Sequence, residues 1–392
     1  MKEVCATESL YLDHAASSPL LPAALEAMWP WMVKNFANPS SPHDAGRDAR
    51  EALCHARGQI AAILGVNADE IVFTSSGTEA NNLAVKGLAL SMINANPQAP
   101  RRIITTPLEH ASVRGACQYL ARWHNFTIEE VKIDHHGMIV LDDLERLLQF
   151  PTALCSLLWG HNEIGTVQRM QDIADIIERT HTPLHVDAVQ VLPWVPVDLG
   201  TMPAAAMSFS GHKLGAGKGV GGLFLRRGRA IEPLIHGGLQ EEGRRAGTEN
   251  VPQIMALAAA LTHVHHHHWG NTLAIAQRRD YFIHRVLSHC AQAKVTGHPR
   301  NRLPGHASFI FPGIHGSAVQ QCLNACGLYC SSLAACGGHD ANPLSLLALG
   351  ITGDEAQSAI RISFDASCTY EQLAYAADSL VQAVSEVGRL LR

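Results

Sequence analysis

The sequence predicts an α/β protein: a large domain on a mostly parallel seven-stranded sheet, and a smaller α+β domain beside it. Three observations carry this expectation. Between residues 60 and 230, short β-rich runs alternate with helical stretches, as in parallel sheets with helical crossovers. Several of these runs are continuously apolar, which is the pattern of strands covered on both faces. After about residue 250 helices dominate and the strand signals become short.

Taken along the chain, strands are expected at 71–74, 103–106, 127–131, 153–159, 184–187, 206–210 and 220–226. Helical periodicity lies between them, at 81–93 and 170–180 among others. The later part reads as helices at 253–268, 273–291 and 370–391, with strands near 308–311 and 359–364. The expected division is residues 15–255 for the large domain, and 1–14 with 256–392 for the small one.

Composition narrows the class. Of 392 residues, 47% are hydrophobic and 17% charged, enough apolar material for a sizeable core and too little charge for disorder. The net charge is -5 and there is no long basic run, so no direct nucleic-acid binding is implied. No apolar stretch reaches the ~18–20 residues of a membrane span. The first residues lack a secretory layout, and ten cysteines are too sparse for a disulfide scaffold. The expectation is a cytoplasmic enzyme with reduced thiols.

Four segments carry chemistry. Residues 73–82 (FTSSGTEANN) run from a strand through small residues into a helix, with Ser76 and Glu79 spaced as a capping box. That leaves the N–H groups of Gly77 and Thr78 at a positive helix end, a cradle for phosphate. An ordinary capped helix gives the same pattern. Residues 185–190 (HVDAVQ) put Asp187 at the C-terminal end of a buried strand, the edge where open α/β sheets bind ligands. A carboxylate there could keep a ring nitrogen protonated. Residues 207–215 (MSFSGHKLG) place Lys213 after another strand, beside Ser210 and His212, as a Schiff-base lysine requires. Phosphate cradle, strand-end Asp and strand-end Lys, in that order, make the constellation of a pyridoxal phosphate site.

The fourth segment is 330–340 (CSSLAACGGHD), where Cys336 precedes two glycines in what reads as a mobile loop, offering a thiolate exposure and reach. Cys322, Cys326 and Cys330 are spaced to share part of a helix face, and packing thiols explain that spacing better than cluster ligation. The run 217–222 (GKGVGG) matches a dinucleotide fingerprint but leads into a strand, so it is rejected as one. The histidine run 263–268 reads as a solvated helix face, because consecutive side chains on a helix point apart.

These motifs, with YLDHAA at 11–16, FANPSS at 36–41, EH at 109–110, HNEIG at 161–165, RAGTEN at 245–250 and Arg361, span nearly the whole chain. Together they resemble NifS/IscS-type cysteine desulfurases, fold-type I pyridoxal phosphate enzymes related to class-V aminotransferases. The resemblance implies that Lys213 bonds the cofactor, Asp187 pairs with its ring nitrogen and Gln190 with its ring hydroxyl. His110 would stack on the ring and help with proton transfers. Gly77, Thr78, Ser210 and His212 would hold the phosphate, joined by Thr248 from the other subunit of a homodimer. Asn162 and Arg361 would grip the carboxylate of L-cysteine, and Cys336 would be the nucleophile that carries a persulfide to a protein sulfur acceptor. One departure stands out: Leu333 replaces a glycine and Gly337-Gly338 follow the nucleophile, where relatives have small or hydroxyl residues.

Two other readings stay open on the sequence alone. One is a pyridoxal phosphate C–S lyase or aminotransferase of the same fold, which would not need Cys336. The other is a non-catalytic scaffold homologue, against which the intact Lys213, Asp187 and His110 set argues. No metal ligands are assigned.

Overall fold

A computed structural model describes residues 9–332 and 344–390. In chain order the elements begin with β1 (Leu10–Tyr11), α1 (Pro22–Val33), α2 (Asp44–Leu64), β2 (Ile71–Thr74), α3 (Gly77–Ala95), β3 (Arg102–Thr105) and α4 (Ala111–His124). Then come β4 (Thr127–Glu130), α5 (Leu141–Leu148), β5 (Leu154–Leu158), α6 (Met170–Glu178), β6 (Leu184–Asp187), β7 (Ala206–Ser210), α7 (Gly211–Leu214) and β8 (Gly221–Leu225). The remainder is α8 (Val251–His267), α9 (Thr272–His289), β9 (Lys294–Val295), β10 (His306–Ile310), α10 (Gly316–Ala325), β11 (Leu328–Tyr329), α11 (Leu344–Ala348), α12 (Gly353–Gln357), β12 (Ile360–Ser363) and α13 (Tyr370–Leu390).

The seven expected strands form one seven-stranded sheet in the order β2-β8-β7-β6-β5-β3-β4. Its pairs are parallel from β4 through β7, while β8 runs antiparallel to both β2 and β7. The apolar runs explain its place: β5, β7 and β8 are buried along their whole length, and only the edge strand β4 is open to solvent. One face packs on α1, α2 and α8, the other on α3 and α4.

A second, three-stranded antiparallel sheet (β12-β10-β9) gathers its own core with α9, α10 and α13, including Phe282, Phe309, Phe311 and Leu380. The N-terminal strand reaches this region: β1 pairs in parallel with β11, and Asp13 bridges to Ser363. No helix among the described residues is long and apolar enough to cross a membrane.

Two local expectations are corrected. The helix expected at 81–93 begins at Gly77, because the Ser76 hydroxyl caps it by accepting from Glu79 N–H at 3.1 Å. The cysteines at 322, 326 and 330 do not share a helix face. Helix α10 ends at Ala325 and Gly327 turns the chain at φ 74°, so Cys330 follows β11 instead, buried, its thiol pushed up to about 12 by burial.

Residues 237–247 are tied to the large sheet by an unusual device. Glu241 and Glu242 both sit in the left-handed region, at φ 48° and 58°, where side chains other than glycine's are strained. Glu241 accepts two hydrogen bonds of 2.7 Å from the Arg57 guanidinium and one of 2.9 Å from Phe73 N–H, with its side chain only 2% exposed. Removing Glu241 leaves the half-buried Arg57 guanidinium with the Ile71 carbonyl but without its counter-charge. Glu241→Ala is therefore expected to cost about 3 kcal/mol in denaturant unfolding. An unchanged midpoint would show that the pair does not hold this loop.

Candidate active site

Parallel strands end together, so the residues following β3, β5, β6 and β7 meet at one edge of the sheet. The resulting cleft holds about 860 Å³ of empty space, its open mouth included. Its lining includes Gly77, Thr78, His110, Asn162, Asp187, Gln190, Ser210, His212, Lys213 and Arg361. Of the residues expected at the site, Thr248 does not line this cleft in its own chain and is exposed. Cys336 lies outside the described residues.

At one end is the start of α3. The helix is 19 residues long, and its first N–H groups, at Gly77 and Thr78, face the cleft. A side chain at 77 would fill this space: a Cβ there would stand 2.8 Å from Val189 Cγ2 and 3.1 Å from Ser210 Cβ. The Ser210 hydroxyl beside it is buried and bonds nothing among the described residues. Glu79 braces the turn, accepting from Ser75 N–H at 2.8 Å and from Arg245 Nε at 2.9 Å. Among the described residues this end offers donors without a partner and no carboxylate oxygen bonded to them, which suits an anion such as phosphate.

On the floor, Asp187 is 2% exposed. Its Oδ1 accepts from Val189 N–H at 3.0 Å and its Oδ2 from the Asn81 amide at 2.7 Å. Burial pushes this carboxyl above its ordinary range, and the neighbouring His110 and the two hydrogen bonds pull the other way. A cationic ring nitrogen placed here would supply the partner that burial makes necessary.

Lys213 sits on α7, a single turn that ends where Gly215 adopts φ 91°. A Cβ at 215 would strike Leu21, so the glycine both closes the turn and admits the N-terminal segment. Lys213 Nζ donates to the carbonyls of Ala15 and Ala16, at 2.5 and 2.6 Å. Gln190 Nε2 donates to the Ala15 carbonyl as well, at 3.0 Å. Burial, with Lys213 and Lys218 nearby, lowers His212 to about 4.

Across the cleft stands Arg361, on β12 of the second sheet and 2% exposed. Its Nη2 pairs with Asp13 at 2.7 Å and its Nη1 donates to the Asn162 carbonyl at 3.1 Å. The Nε is buried and without an acceptor among the described residues. Arg361 lines the cleft, and a guanidinium there is what a small carboxylate would pair with.

Sequence reasoning missed several members. Asp13, Asn81 and Ser112 connect the site through contacts that no local pattern reveals. Asn81 falls inside the quoted 73–82 motif, one helical turn after the cap, and that spacing was the available signal. Glu109 is another: fully buried, it accepts from Thr106 Oγ1 and Leu158 N–H on Oε1, both at 2.9 Å, and its Oε2 is unpartnered among the described residues.

With this geometry in view, comparison with known proteins places the chain. The family model "Aminotransferase class-V" matches residues 10–375. "Cysteine desulfurase IscS" of Dictyoglomus turgidum is 35% identical over 96% of this chain and 95% of its own. The chain belongs to the class-V aminotransferase family, among its cysteine desulfurases. The "Cysteine desulfurase IscS" of Methanosarcina thermophila is 34% identical, over 98% of this chain and 93% of its own. Among solved structures, a NifS-like protein superposes with a TM-score of 0.89 at 33% identity, covering 96% of this chain and all of that one. "SspA in complex with cysteine" superposes at 0.79 and 31% identity, over 90% of this chain and 98% of that one.

In this desulfurase Glu109 carries a pH dependence. Burial raises its carboxyl to about 8 against an ordinary 4.5. The folded protein then holds a proton that the unfolded chain has lost. The stability this group contributes is full below about 4.5 and is lost as pH rises through about 8. Glu109→Gln can keep both Oε1 hydrogen bonds and removes the titration. Denaturant unfolding should show the variant gaining on the parent from about pH 5 to 8, then levelling. A difference that is flat with pH would contradict the buried neutral carboxyl.

Proposed function

We propose that this desulfurase binds pyridoxal 5'-phosphate in the cleft and uses it to convert L-cysteine to L-alanine, leaving a persulfide on Cys336. What carries the reading is the meeting of Lys213, Asp187 and Arg361 around one cleft, with an anion cradle at its end. The unpaired Ser210 hydroxyl, the space that a Cβ at Gly77 would occupy, and the strand-end Asp187 fit such a group. When bound, it would supply an electron sink for charge developing at the substrate's α-carbon.

The chain's own residues divide the remaining work. Gly77, Thr78, Ser210 and His212 would hold the phosphate, and Gln190 the ring hydroxyl. Asp187 would keep the ring nitrogen charged. Arg361 and Asn162 would hold the substrate carboxylate. Lys213 would bond the cofactor at rest and serve as base once substrate displaces it. The Cys336 thiolate takes the substrate's sulfur, breaking its bond to carbon, and the carbon regains a proton to leave as L-alanine. Cys–SH and L-cysteine thus become Cys–S–SH and L-alanine, with the outer sulfur ready for a protein acceptor thiol.

The assembly in this reading is a cytoplasmic homodimer in which Thr248, exposed on its own chain, reaches the partner's phosphate. Residues 15–255 hold the cofactor, while 1–14 and 256–392 close over it and carry Cys336. Helix α8 straddles that boundary and packs on the large-sheet side, against α1 and α2.

Two variants test the assignment. Lys213→Ala should retain no cofactor that borohydride fixes to the protein. Cys336→Ser should keep the cofactor and bind L-cysteine, while sulfide release falls about a thousandfold or more. Mass mapping of the parent after L-cysteine should place the extra sulfur on Cys336. Finding it on Cys330 would move the nucleophile to that thiol, and parent-rate sulfide release from Cys336→Ser with no persulfide on the protein would move the C–S lyase reading to first place.

A further inference from the structure

His110 is held from behind by hydrogen bonds whose directions can be assigned one donor at a time. It is the N-cap residue of α4, and the Ser112 backbone N–H donates to its Nδ1 at 3.2 Å. A backbone amide only donates, so Nδ1 accepts and bears no proton. The Ser112 hydroxyl lies 2.7 Å from the same nitrogen and, facing a bare nitrogen, must donate as well. Its lone pairs remain for the Asn81 amide, which donates to Ser112 Oγ at 3.0 Å. The second hydrogen of that amide goes to Asp187 Oδ2 at 2.7 Å.

With Asp187 ionised, as a cationic partner in the cleft would keep it, the amide cannot turn over without setting its carbonyl oxygen against a carboxylate, which only accepts. The order of donation therefore starts at Asn81, toward Asp187 on one side and through Ser112 to His110 on the other. Asn81 is 1% exposed and Ser112 8%, so water does not compete for these bonds. A neutral imidazole whose Nδ1 accepts carries its proton on Nε2. His110 lines the cleft, and its Nε2 bonds nothing among the described residues.

We propose that Asn81 and Ser112 are positioning residues that fix His110 as its Nε2–H tautomer, so that it offers the cleft a hydrogen-bond donor and not a proton acceptor. The consequence for catalysis rests on the desulfurase reading above: the proton leaving the α-carbon must go to another base, Lys213. The tautomer itself does not depend on that reading.

The test uses protein labelled with 15N-histidine, with its cofactor and after its removal. Long-range proton–nitrogen correlation spectra separate bare from protonated ring nitrogens, and His110→Gln identifies the His110 signals. The parent should show a bare Nδ1 and a protonated Nε2 in both forms. Ser112→Ala removes the 2.7 Å hydroxyl bond and leaves only the longer 3.2 Å amide bond to hold the ring; whenever the ring turns off that amide Nδ1 can take the proton, so its signals should drift toward a mixture of tautomers. Its kcat should fall about tenfold while KM for L-cysteine changes by less than about twofold. Ser112→Thr should restore both. A protonated Nδ1 in the parent overturns the proposal, even if no variant folds. So does a Ser112→Ala protein with the parent's spectrum and kcat. A parent that shows the Nε2–H tautomer but makes no alanine from cysteine would instead refute the desulfurase reading and leave the tautomer standing.

Discussion

Residues 13–18 run between the two sheets, and both ends of the site lean on them. Asp13 pairs with Arg361 of the second sheet, and the Ala15 and Ala16 carbonyls receive Lys213 of the large sheet. Gln190 bonds the same Ala15 carbonyl, and the Ser18 N–H and hydroxyl donate to the carbonyl of His212. One short segment thus sets where Arg361 stands relative to the Lys213 amine. Carbonyls suit this role because each has two lone pairs and is fixed by the backbone.

The sheet supplies the rest. Strands that run parallel deliver their following residues to one edge, and full burial of β5, β6 and β7 makes that edge rigid. Rigidity lets Asp187 remain buried with two hydrogen bonds, a costly arrangement that a cationic partner would offset. The anion cradle depends on the same neighbourhood, since Gly77 packs against Val189, two residues beyond Asp187. The start of α3 and the Asp187 end of the cleft are therefore one packing unit.

Much of this was legible in the sequence. The strands at 71–74, 184–187 and 206–210 were read to the residue, because buried apolar runs end abruptly at small or polar turn residues. Lys213, Asp187, Gly77 and Ser210 were legible because each lies in a short motif at a strand or helix end, while Arg361, inside a strand, was legible only through the family resemblance. Asp13, Asn81 and Ser112 were not. Their roles arise from partners distant in sequence: Asp13 meets a residue 348 positions away, and Asn81 one 106 positions away. The three cysteines fit a shared helix face by spacing alone, and Gly327, whose left-handed backbone ends that stretch, takes Cys330 off it.

The central claim is that this cleft cleaves the carbon–sulfur bond of L-cysteine by handing sulfur to a protein thiol, and that the carbon skeleton keeps its nitrogen. The most direct measurement is the product balance of the cofactor-loaded parent protein given L-cysteine and a reductant. The account predicts L-alanine and sulfide in equal amounts. Pyruvate and ammonia appearing with the sulfide would contradict it.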